Sequence, residues 1–398
     1  MPLVEVLADM EYTGMYVDKE ELKSFGLELQ GQIEKLKAEI YEMCGMEFNI
    51  NSPKQLGEVL FEKLGLPVLK KTKSGYSTDG DVLEKLKKKH PAIEKILEFR
   101  QISKLNSTFV EGLLPCINET TNRIHSHFHQ TVTATGRISS TDPNLQNIPT
   151  RMELGQNLRK AFMAQKEGTI LLDADYSQIE LRVLAHIAED ENMINAFNAG
   201  EDIHKQAASM VFNVPIEEVT KKMRSNAKAV NFGIVYGISD YGLSEQLDVP
   251  VKVAKGYIEQ YLNKYNGIKN YMSDIESKAK EKGYVETLFN RRRYVPELSS
   301  SNYMVRQFGN RVAMNTPIQG TAADIIKIAM IRVYDELKKN NLKSKLILQV
   351  HDELLIETYE EEKNIVKQIL KNCMENVIKL KVPLIAEIGE GKTWYDAK

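Results

Sequence analysis

The 398-residue sequence predicts an α+β fold, and two patterns support this prediction. Apolar residues with helical spacing dominate residues 18–45 and 179–340. Short apolar runs typical of strands occur far apart in the chain, at residues 169–172, 345–358 and 383–388. Helical regions that flank strand segments drawn from distant positions are typical of α+β proteins. A chain of this length also favours two or three subdomains over a single core.

The composition excludes several classes of protein. With 42% apolar and 27% charged residues, the chain is neither disordered nor collagen-like. A net charge of −2 argues against binding nucleic acid by bulk charge, although local patches could still bind phosphate. Glu5 and Asp9 interrupt the N-terminal apolar residues, so no signal peptide or membrane span is expected. Cys44, Cys116 and Cys373 lie too far apart for a disulfide scaffold, which favours a soluble intracellular protein.

The first third of the sequence predicts helices interrupted by one polar loop. Residues 18–45 carry leucine and isoleucine at three- to four-residue spacing, which predicts a long amphipathic helix. Ser52 is expected to cap a second helix over 54–64. Residues 69–81 are rich in Lys, Ser, Gly and Thr and predict an exposed loop, after which helices resume over 82–114.

The middle of the sequence changes from helical to extended patterns. Residues 124–134 alternate as a strand does, and 133–149 form a polar loop punctuated by Gly and Pro. The apolar strand at 169–172 enters a helix, and the helical pattern that follows is interrupted by a hairpin. We expect this hairpin to turn at Asn290, because Asn tolerates the left-handed conformation that such turns require.

Three carboxylates occupy strand ends. Asp175 lies where an apolar strand meets a helix, while Asp352 and Glu353 lie at the turn between two apolar strands. If these strand ends meet, the carboxylates could bind Mg²⁺, which takes few protein carboxylates and completes its shell with water and phosphate oxygens. An Asp beside a strand is more often a turn or cap residue, so the spacing alone leaves both interpretations open.

One predicted helix carries two cations followed by two aromatic residues on a single face. These residues recur at four-residue spacing and are Arg224, Lys228, Phe232 and Tyr236. Arg and Lys can bind phosphates, and Phe and Tyr can stack on a base. The alternative is a solvated basic turn that leads into a core aromatic stripe. Gly233 and Gly237 argue against that alternative, because glycine destabilises a helix unless a bend or a close backbone approach requires it.

A third polar row recurs every four residues, at Arg311, Asn315 and Gln319. Such side chains can donate hydrogen bonds to minor-groove acceptors, which are nearly the same for every base pair. Pro317 is expected to kink the helix that carries them. Amides that cap a broken helix are therefore an equally good interpretation of the pattern alone.

Three segments, in chain order, resemble the three polymerase motifs of the family A DNA polymerases, the bacterial DNA polymerase I type. They read LLDADYSQIELRVLAH, RSNAKAVNFGIVYG and LQVHDELLIE. The segments TVTATGRISSTDPNLQNIP, GYVETLFNRRRYVP and NTPIQGTAAD match the same family. The resemblance covers essentially the whole chain.

This resemblance implies a right-hand architecture with an antiparallel palm sheet and a helical thumb and fingers. The implied palm comprises residues 1–12, 121–178 and 340–398, the thumb 13–120 and the fingers 179–339. The implied activity is template-directed DNA synthesis, in which dNTPs are added to a primer 3′-hydroxyl by two-metal-ion phosphoryl transfer with release of pyrophosphate. We expect neither a proofreading exonuclease nor a 5′ nuclease domain. The resemblance also implies a monomeric, bacterial, cytoplasmic protein that binds primer–template DNA and dNTPs but no membrane.

The resemblance also implies roles for individual residues. Two Mg²⁺ ions, for which Mn²⁺ can substitute, would be held by Asp175, Asp352 and the backbone carbonyl of Tyr176. The implied catalytic residues are Asp175, Asp352, Glu353, Lys228 and Arg224. The implied dNTP-binding residues are Gln178, Glu180, His204, Arg224, Lys228, Phe232 and Tyr236, with Glu180 crowding the sugar 2′ position. The implied DNA contacts are Arg137, Asn144, Asn147, Arg311, Asn315, Gln319, Gln349 and His351.

Three alternatives to this function differ in what they require. A single-subunit RNA polymerase shares the palm, and Glu180 is the residue that argues against it. A non-catalytic DNA-binding protein derived from the fold would be expected to lose its carboxylates, yet Asp175, Asp352 and Glu353 are present. Reverse transcription could coexist with DNA synthesis.

Overall fold

A computed structural model describes residues 2–73, 75–149 and 153–398. The described part of the chain up to residue 116 is mainly helical with three two-residue strands, and two helices continue into short π-helical segments, 58–63 and 106–111. Its elements are α1 (Pro2–Thr13), β1 (Met15–Tyr16), α2 (Lys19–Cys44), α3 (Pro53–Gly57), β2 (Lys71–Thr72), β3 (Gly75–Tyr76), α4 (Gly80–Leu86) and α5 (Pro91–Leu105).

The long helix predicted over 18–45 is confirmed as α2. It begins after Asp18, whose carboxylate accepts hydrogen bonds from the backbone N–H groups of Glu20 and Glu21, and it ends at Gly45 with a φ of 68°. Both residues suit these places, because a side-chain oxygen satisfies free N–H groups at the first turn and glycine adopts the left-handed conformation without strain. The buried face of α2 includes Leu22, Leu29, Leu36 and Ile40 of the predicted apolar stripe, whereas Leu27 of that stripe is 69% exposed.

The segment that follows contains short strands and leads into the longest strand of the molecule. Its elements are β4 (Arg123–Ile124), β5 (His127–His129), β6 (Ser139–Thr141), α6 (Glu153–Leu158) and β7 (Thr169–Tyr176). The strand predicted over 124–134 is therefore too long. The chain turns after His129 because the Thr133 hydroxyl donates to the Arg137 carbonyl at 2.6 Å and Gly136 adopts a φ of 83°.

A helical region comes next, as predicted, with one hairpin inside it. Its elements are α7 (Ile179–Ile187), α8 (Glu191–Asn198), α9 (Ile203–Phe212), α10 (Lys221–Val235), α11 (Asp240–Leu247), α12 (Val251–Lys264), α13 (Asn266–Lys282), β8 (Tyr284–Glu286), β9 (Arg292–Tyr294) and α14 (Tyr303–Lys339). Asn290 turns the hairpin with a φ of 62°, as expected. The helix α14 continues through Pro317, so proline does not end it there.

The last part of the chain completes a four-stranded antiparallel sheet. Its elements are β10 (Lys345–Val350), β11 (Glu353–Tyr359), α15 (Lys363–Glu375) and β12 (Ala386–Gly391). The strand order is β10-β11-β7-β12, so the sheet assembles the distant strand segments that the sequence indicated. The strand β7 extends four residues beyond the predicted 169–172, and this extension includes Asp173 and Asp175.

The two faces of this sheet have different surroundings. Side chains alternate along a strand, so Leu172, Ala174 and Tyr176 share one face of β7. This face packs on α15, where the Tyr176 hydroxyl donates to the carbonyl oxygen of Met374 at 2.7 Å. Asp173 and Asp175 must therefore lie on the opposite face. Within the described ranges, no helix is long and apolar enough to span a bilayer.

We predict that Leu172→Ala destabilises the folded chain by about 2–5 kcal/mol, because Leu172 is fully buried in the central strand and its truncation leaves a cavity. Leu27→Ala is the matched control: Leu27 is 69% exposed on α2, so this change should stay within about 0.5 kcal/mol. Urea titration of both variants measures the two effects. Equal stability of the two variants would contradict this packing of the sheet.

Candidate active site

The hairpin between β10 and β11 brings two acidic segments together. In the antiparallel register Glu353 lies opposite Asp175, and the backbone N–H of Tyr176 donates to the carbonyl oxygen of Asp352 at 3.2 Å. His351 enters the turn with a φ of 52°. The structure thus makes Asp175 and Asp352 neighbours at the end of the sheet. Their role as metal ligands stays a prediction.

The surroundings of these two carboxyl groups disfavour their charged forms. Burial, followed by the charge of Asp175, raises the pKa of Asp352 to about 7. Burial also raises the pKa of Asp175, although Lys398 opposes this shift. Two carboxylates that repel each other in a partly dehydrated place form a site where a cation would be stabilising.

The donor set fits Mg²⁺. The carboxylates of Asp175 and Asp352 are hard oxygen ligands, as is the backbone carbonyl of Tyr176, which lies on the same strand end. Mg²⁺ binds through one or two carboxylates and takes its other ligands from water and phosphate. The candidate metal site has only two carboxylates. In the part of the chain that the structure describes, no three or more His, Cys, Asp or Glu residues are arranged as a metal site.

A second charged cluster lies on the same sheet face, and of its members only Glu353 was predicted as a site residue. Its carboxylates are Asp173 and Glu353, which are 2% and 4% exposed. The ammonium group of Lys398 lies 3.1 Å from Asp175 Oδ2 and 3.7 Å from Asp173 Oδ2, and it also contacts Glu353. Asp173 precedes Asp175 by two residues, so strand periodicity could have indicated it, whereas no local pattern indicates Lys398.

Glu353 is held on its other side by an aromatic and a cationic residue. The indole of Trp394 donates to Glu353 Oε1 at 2.7 Å. The guanidinium of Arg159 lies over the Trp394 ring at 3.9 Å, with Nη1 3.7 Å from the same Glu353 oxygen. Burial alone would raise the pKa of Glu353, but Lys398 and Arg159 hold it below its usual value. Glu353 therefore carries a charge inside the sheet face.

Glu180 connects the beginning of α7 with the end of α10. It is 7% exposed; its Oε1 accepts from Arg137 at 2.6 Å, and its Oε2 accepts from the Tyr236 hydroxyl at 2.6 Å. Burial, followed by the charge of Glu180, raises the pKa of Tyr236 to about 12. Gln178, which precedes α7, has a φ of 54°, and its buried Oε1 has no hydrogen-bond partner among the residues that the structure describes. Hydrogen bonds thus join three predicted site residues, Arg137, Glu180 and Tyr236.

The cationic and aromatic residues of α10 share one face, as predicted. Lys228 Nζ lies 5.9 Å from the centre of the Phe232 ring, which stacks on Tyr236 at 6.3 Å. Gly237 ends the turn after α10 with a φ of 67°, and a Cβ at Gly233 would meet Ile238 at 2.9 Å. Both glycines therefore serve close backbone approaches, as the sequence analysis indicated.

Residues of α9 contact the same face. Asp202 Oδ2 accepts from Arg224 Nε at 2.6 Å, and His204 Nδ1 lies 2.8 Å from the side-chain nitrogen of Asn231. Burial, followed by the charge of Arg224, lowers the pKa of His204 to about 4, so the imidazole is neutral at pH 7. Asp202 was not predicted as a site residue, although Asp before a helix is a recognisable cap. Within the described ranges, no ion pair joins Arg224 or Lys228 to the sheet carboxylates.

The residues expected to contact DNA fall into two groups. Near the hairpin, Gln349 donates to the carbonyl oxygen of His351 at 2.6 Å and accepts from Gln146, a residue that the sequence analysis missed, at 3.1 Å. Asn144 caps the short 3₁₀ turn that contains Asn147. Burial, followed by the charge of Arg137, lowers the pKa of His351.

The second group lies along α14. Arg311 lies beside Gly237, where an added Cβ would meet its side chain at 2.9 Å. The Oδ1 of Asn315 is buried with no hydrogen-bond partner in the described part of the chain, and Gln319 interacts with the Tyr236 hydroxyl. The alternative that these amides cap a broken helix is wrong, because α14 is continuous through all three positions.

Comparison with known proteins identifies the family to which this geometry corresponds. The model of DNA polymerase family A matches residues 19–396. DNA polymerase I of Bacillus subtilis (strain 168) is 54% identical over 398 residues, and that of Geobacillus stearothermophilus is 54% identical over 397 residues. Each match covers 100% of this chain and 45% of the relative, so the chain spans about half the length of the curated relatives that it matches.

A solved structure supports the same conclusion about the fold. The POL domain of Pol1 from M. smegmatis, in complex with DNA primer-template and dNTP, is similar with a TM-score of 0.95 and 45% identity. The match covers 100% of this chain and 70% of that chain. The predicted α+β right-hand polymerase fold and the family resemblance are both confirmed.

We predict that Asp352→Asn stabilises the protein at pH 8 in the presence of a chelator. Because the folded state raises the pKa of Asp352 to about 7, stability falls as pH rises from the unfolded value of about 3.9 to 7. The variant lacks this loss, so its melting temperature should exceed that of the wild type at pH 8, and the difference should shrink at pH 5. Exposed Asp274→Asn serves as the control. A pH-independent difference would contradict the raised pKa of Asp352, which burial and the charge of Asp175 cause.

Proposed function

This chain belongs to DNA polymerase family A, and we propose from that premise that it extends a DNA primer by template-directed addition of dNTPs. The observation that carries the proposal is the adjacency of Asp175 and Asp352 at one end of the sheet. The reaction forms a bond between the primer 3′-oxygen and the α-phosphorus of the dNTP, and it breaks the bond to pyrophosphate. The 3′-hydroxyl proton is lost to solvent.

The sheet end would hold the metal ions and the reacting groups. Asp175, Asp352 and the Tyr176 carbonyl would bind two Mg²⁺ ions, which would activate the 3′-hydroxyl and stabilise the departing pyrophosphate. Glu353 keeps its charge beside them because Lys398 and Arg159 face it. Its role is to maintain the negative potential of the sheet end, since its oxygens are already occupied by Trp394 and Lys398.

The helix α10 would bind the incoming nucleotide. Arg224 and Lys228 precede the aromatic pair on one face, so they suit the triphosphate, while Phe232 and Tyr236 suit the base. Arg224 would exchange its bond to Asp202 for a phosphate oxygen. Neutral His204 can donate one hydrogen bond to the phosphates. Closure of α10 towards the sheet would align the α-phosphate with the primer.

The group around Glu180 would select deoxyribose. Glu180 is fixed by Arg137 and Tyr236, so its side chain cannot move aside easily when a 2′-hydroxyl approaches. Gln349, His351 and the row on α14 would contact the primer–template near the new base pair. Asn144 and Asn147 would lie along the DNA backbone. We propose the subdomain boundaries of the sequence analysis for the palm, thumb and fingers.

We predict that Asp175→Ala or Asp352→Ala reduces primer extension by at least about 10³-fold, because each change removes a metal ligand. Primer–template binding should remain within a few-fold of wild type, since neither residue is needed for backbone contacts. Gel assays with and without Mg²⁺ measure extension, and the same gels should show no primer shortening. Asp274→Ala, at an exposed position, is the control. Near wild-type extension by either variant would disprove the assignment.

We predict that Glu180→Ala increases the use of rNTPs relative to dNTPs by at least about tenfold, because it opens space beside the sugar. Glu180→Gln keeps the side-chain volume without the charge and should retain most of the discrimination. Single-nucleotide incorporation with both substrates measures the ratio. Unchanged discrimination in Glu180→Ala would remove the role, and preferential use of rNTPs by the wild type would favour an RNA polymerase.

A further inference from the structure

Lys398 is the only cation among the described residues that contacts Asp173, Asp175 and Glu353 together. We propose that Lys398 is a positioning residue whose ammonium group holds these carboxylates together in the absence of metal and opposes divalent-cation binding beside them. The inference rests on the proposed function, because it concerns the metal site at Asp175 and Asp352. The proposed effect of Lys398 is to weaken metal binding, and the proposed reaction does not require Lys398.

The carboxylates have a physical need for such a cation. Asp173 and Asp175 lie two residues apart on one strand, and Glu353 is directly opposite Asp175, so all three share one sheet face. Asp173 is 2% exposed, and burial, followed by the charge of Glu353, raises its pKa to about 9, so the like charges that face each other are those of Asp175 and Glu353. Like charges held this close, away from water, destabilise the fold unless a cation faces them.

The other nearby cation cannot replace Lys398. Arg159 is 3% exposed and is fixed over the ring of Trp394, from which it reaches only Glu353, at 3.7 Å. Lys398 approaches from the solvent side, with 38% of its side chain exposed, and within the described ranges no other cation forms an ion pair with Asp175. Arg159 therefore supplies a fixed charge, whereas Lys398 supplies one that can move.

The structure also provides space for that movement. A cavity of about 430 Å³ adjoins the cluster and is lined by Gln156, Arg159, Tyr395 and Lys398. A lysine side chain has four rotatable bonds, so its ammonium group can leave the carboxylates without movement of the backbone. When a divalent cation binds at Asp175, the repulsion between the two positive charges favours this displacement.

Opposite effects on stability and on metal affinity follow from this arrangement. Without metal, loss of the ammonium group leaves Asp175 and Glu353 facing each other without the cation that both contact, so the protein should become less stable. With metal, the same loss removes a positive charge from the site, so the ion should bind more tightly. A lysine that only filled space would change stability and leave metal affinity unaltered.

The test uses the full chain and Mn²⁺ as the probe, without DNA or dNTP. Titration followed by electron paramagnetic resonance of free Mn²⁺ gives the dissociation constant, and thermal melting in EDTA gives the stability of the metal-free protein. The variants are Lys398→Met, Lys398→Gln, Lys398→Arg and Asp352→Asn. Lys160→Met is the matched control, because Lys160 is exposed and lies over the Tyr395 ring at 4.7 Å.

We expect Lys398→Met and Lys398→Gln to melt at a lower temperature in EDTA and to bind Mn²⁺ at least about fivefold more tightly than the wild type. Lys398→Arg and Lys160→Met should match the wild type in both measurements. Unchanged or weaker Mn²⁺ binding by both neutral variants would overturn the inference. If the wild type binds no Mn²⁺, or if Asp352→Asn does not abolish its Mn²⁺ binding, the proposed metal site is wrong as well. If the wild type binds Mn²⁺ through Asp352 but the neutral Lys398 variants bind it no more tightly, only the inference about Lys398 is wrong.

Discussion

The antiparallel pairing of β7 with β11 is the constraint on which the candidate site depends. This register sets Asp175 opposite Glu353 and brings the backbone of Tyr176 within hydrogen-bonding distance of Asp352. A slip of one residue would turn the acidic side chains towards α15 and the apolar ones away from it. The apolar face, with Leu172 and Ala174, therefore fixes the register that the carboxylates require. Packing on one face of the sheet determines chemistry on the other.

The charges on the acidic face are nearly balanced within the protein. Lys398 and Arg159 face Glu353 from two sides, while burial raises the pKa of Asp352 to about 7. A buried charge is tolerated only when paired, so the cluster is stable without metal and still favours a cation at its exposed end. The charge of Arg137 acts to lower the pKa of Asp352, and Arg137 also donates to Glu180, which accepts from Tyr236 in the helical region. Movement of α10 is therefore coupled by direct hydrogen bonds to the side chain proposed to exclude the 2′-hydroxyl.

Local sequence patterns predicted most of the helices and strands. Tertiary contacts explain the features that these patterns did not predict. The long helix α2 was predictable because its apolar residues recur regularly between Asp18 and Gly45, which cap its two ends. The strand over 124–134 was overestimated because hydrogen bonds around Thr133 and Arg137 turn the chain. The position of Asp175 and Asp352 at strand ends left the metal and turn interpretations open, and the resemblance to the polymerase motifs favoured the metal interpretation. Lys398 had no local signal, since its contacts lie more than forty residues away in sequence.

The most direct test is to locate divalent ions crystallographically. Crystals of this chain with primer–template DNA, a non-hydrolysable dNTP and Mn²⁺ would reveal the ions by their anomalous scattering. We expect two peaks at the end of the sheet, one of them shared by the carboxylates of Asp175 and Asp352, with the triphosphate completing the coordination. Peaks bound elsewhere, or bound by only one of these two carboxylates, would contradict the assignment of this sheet end as the catalytic centre.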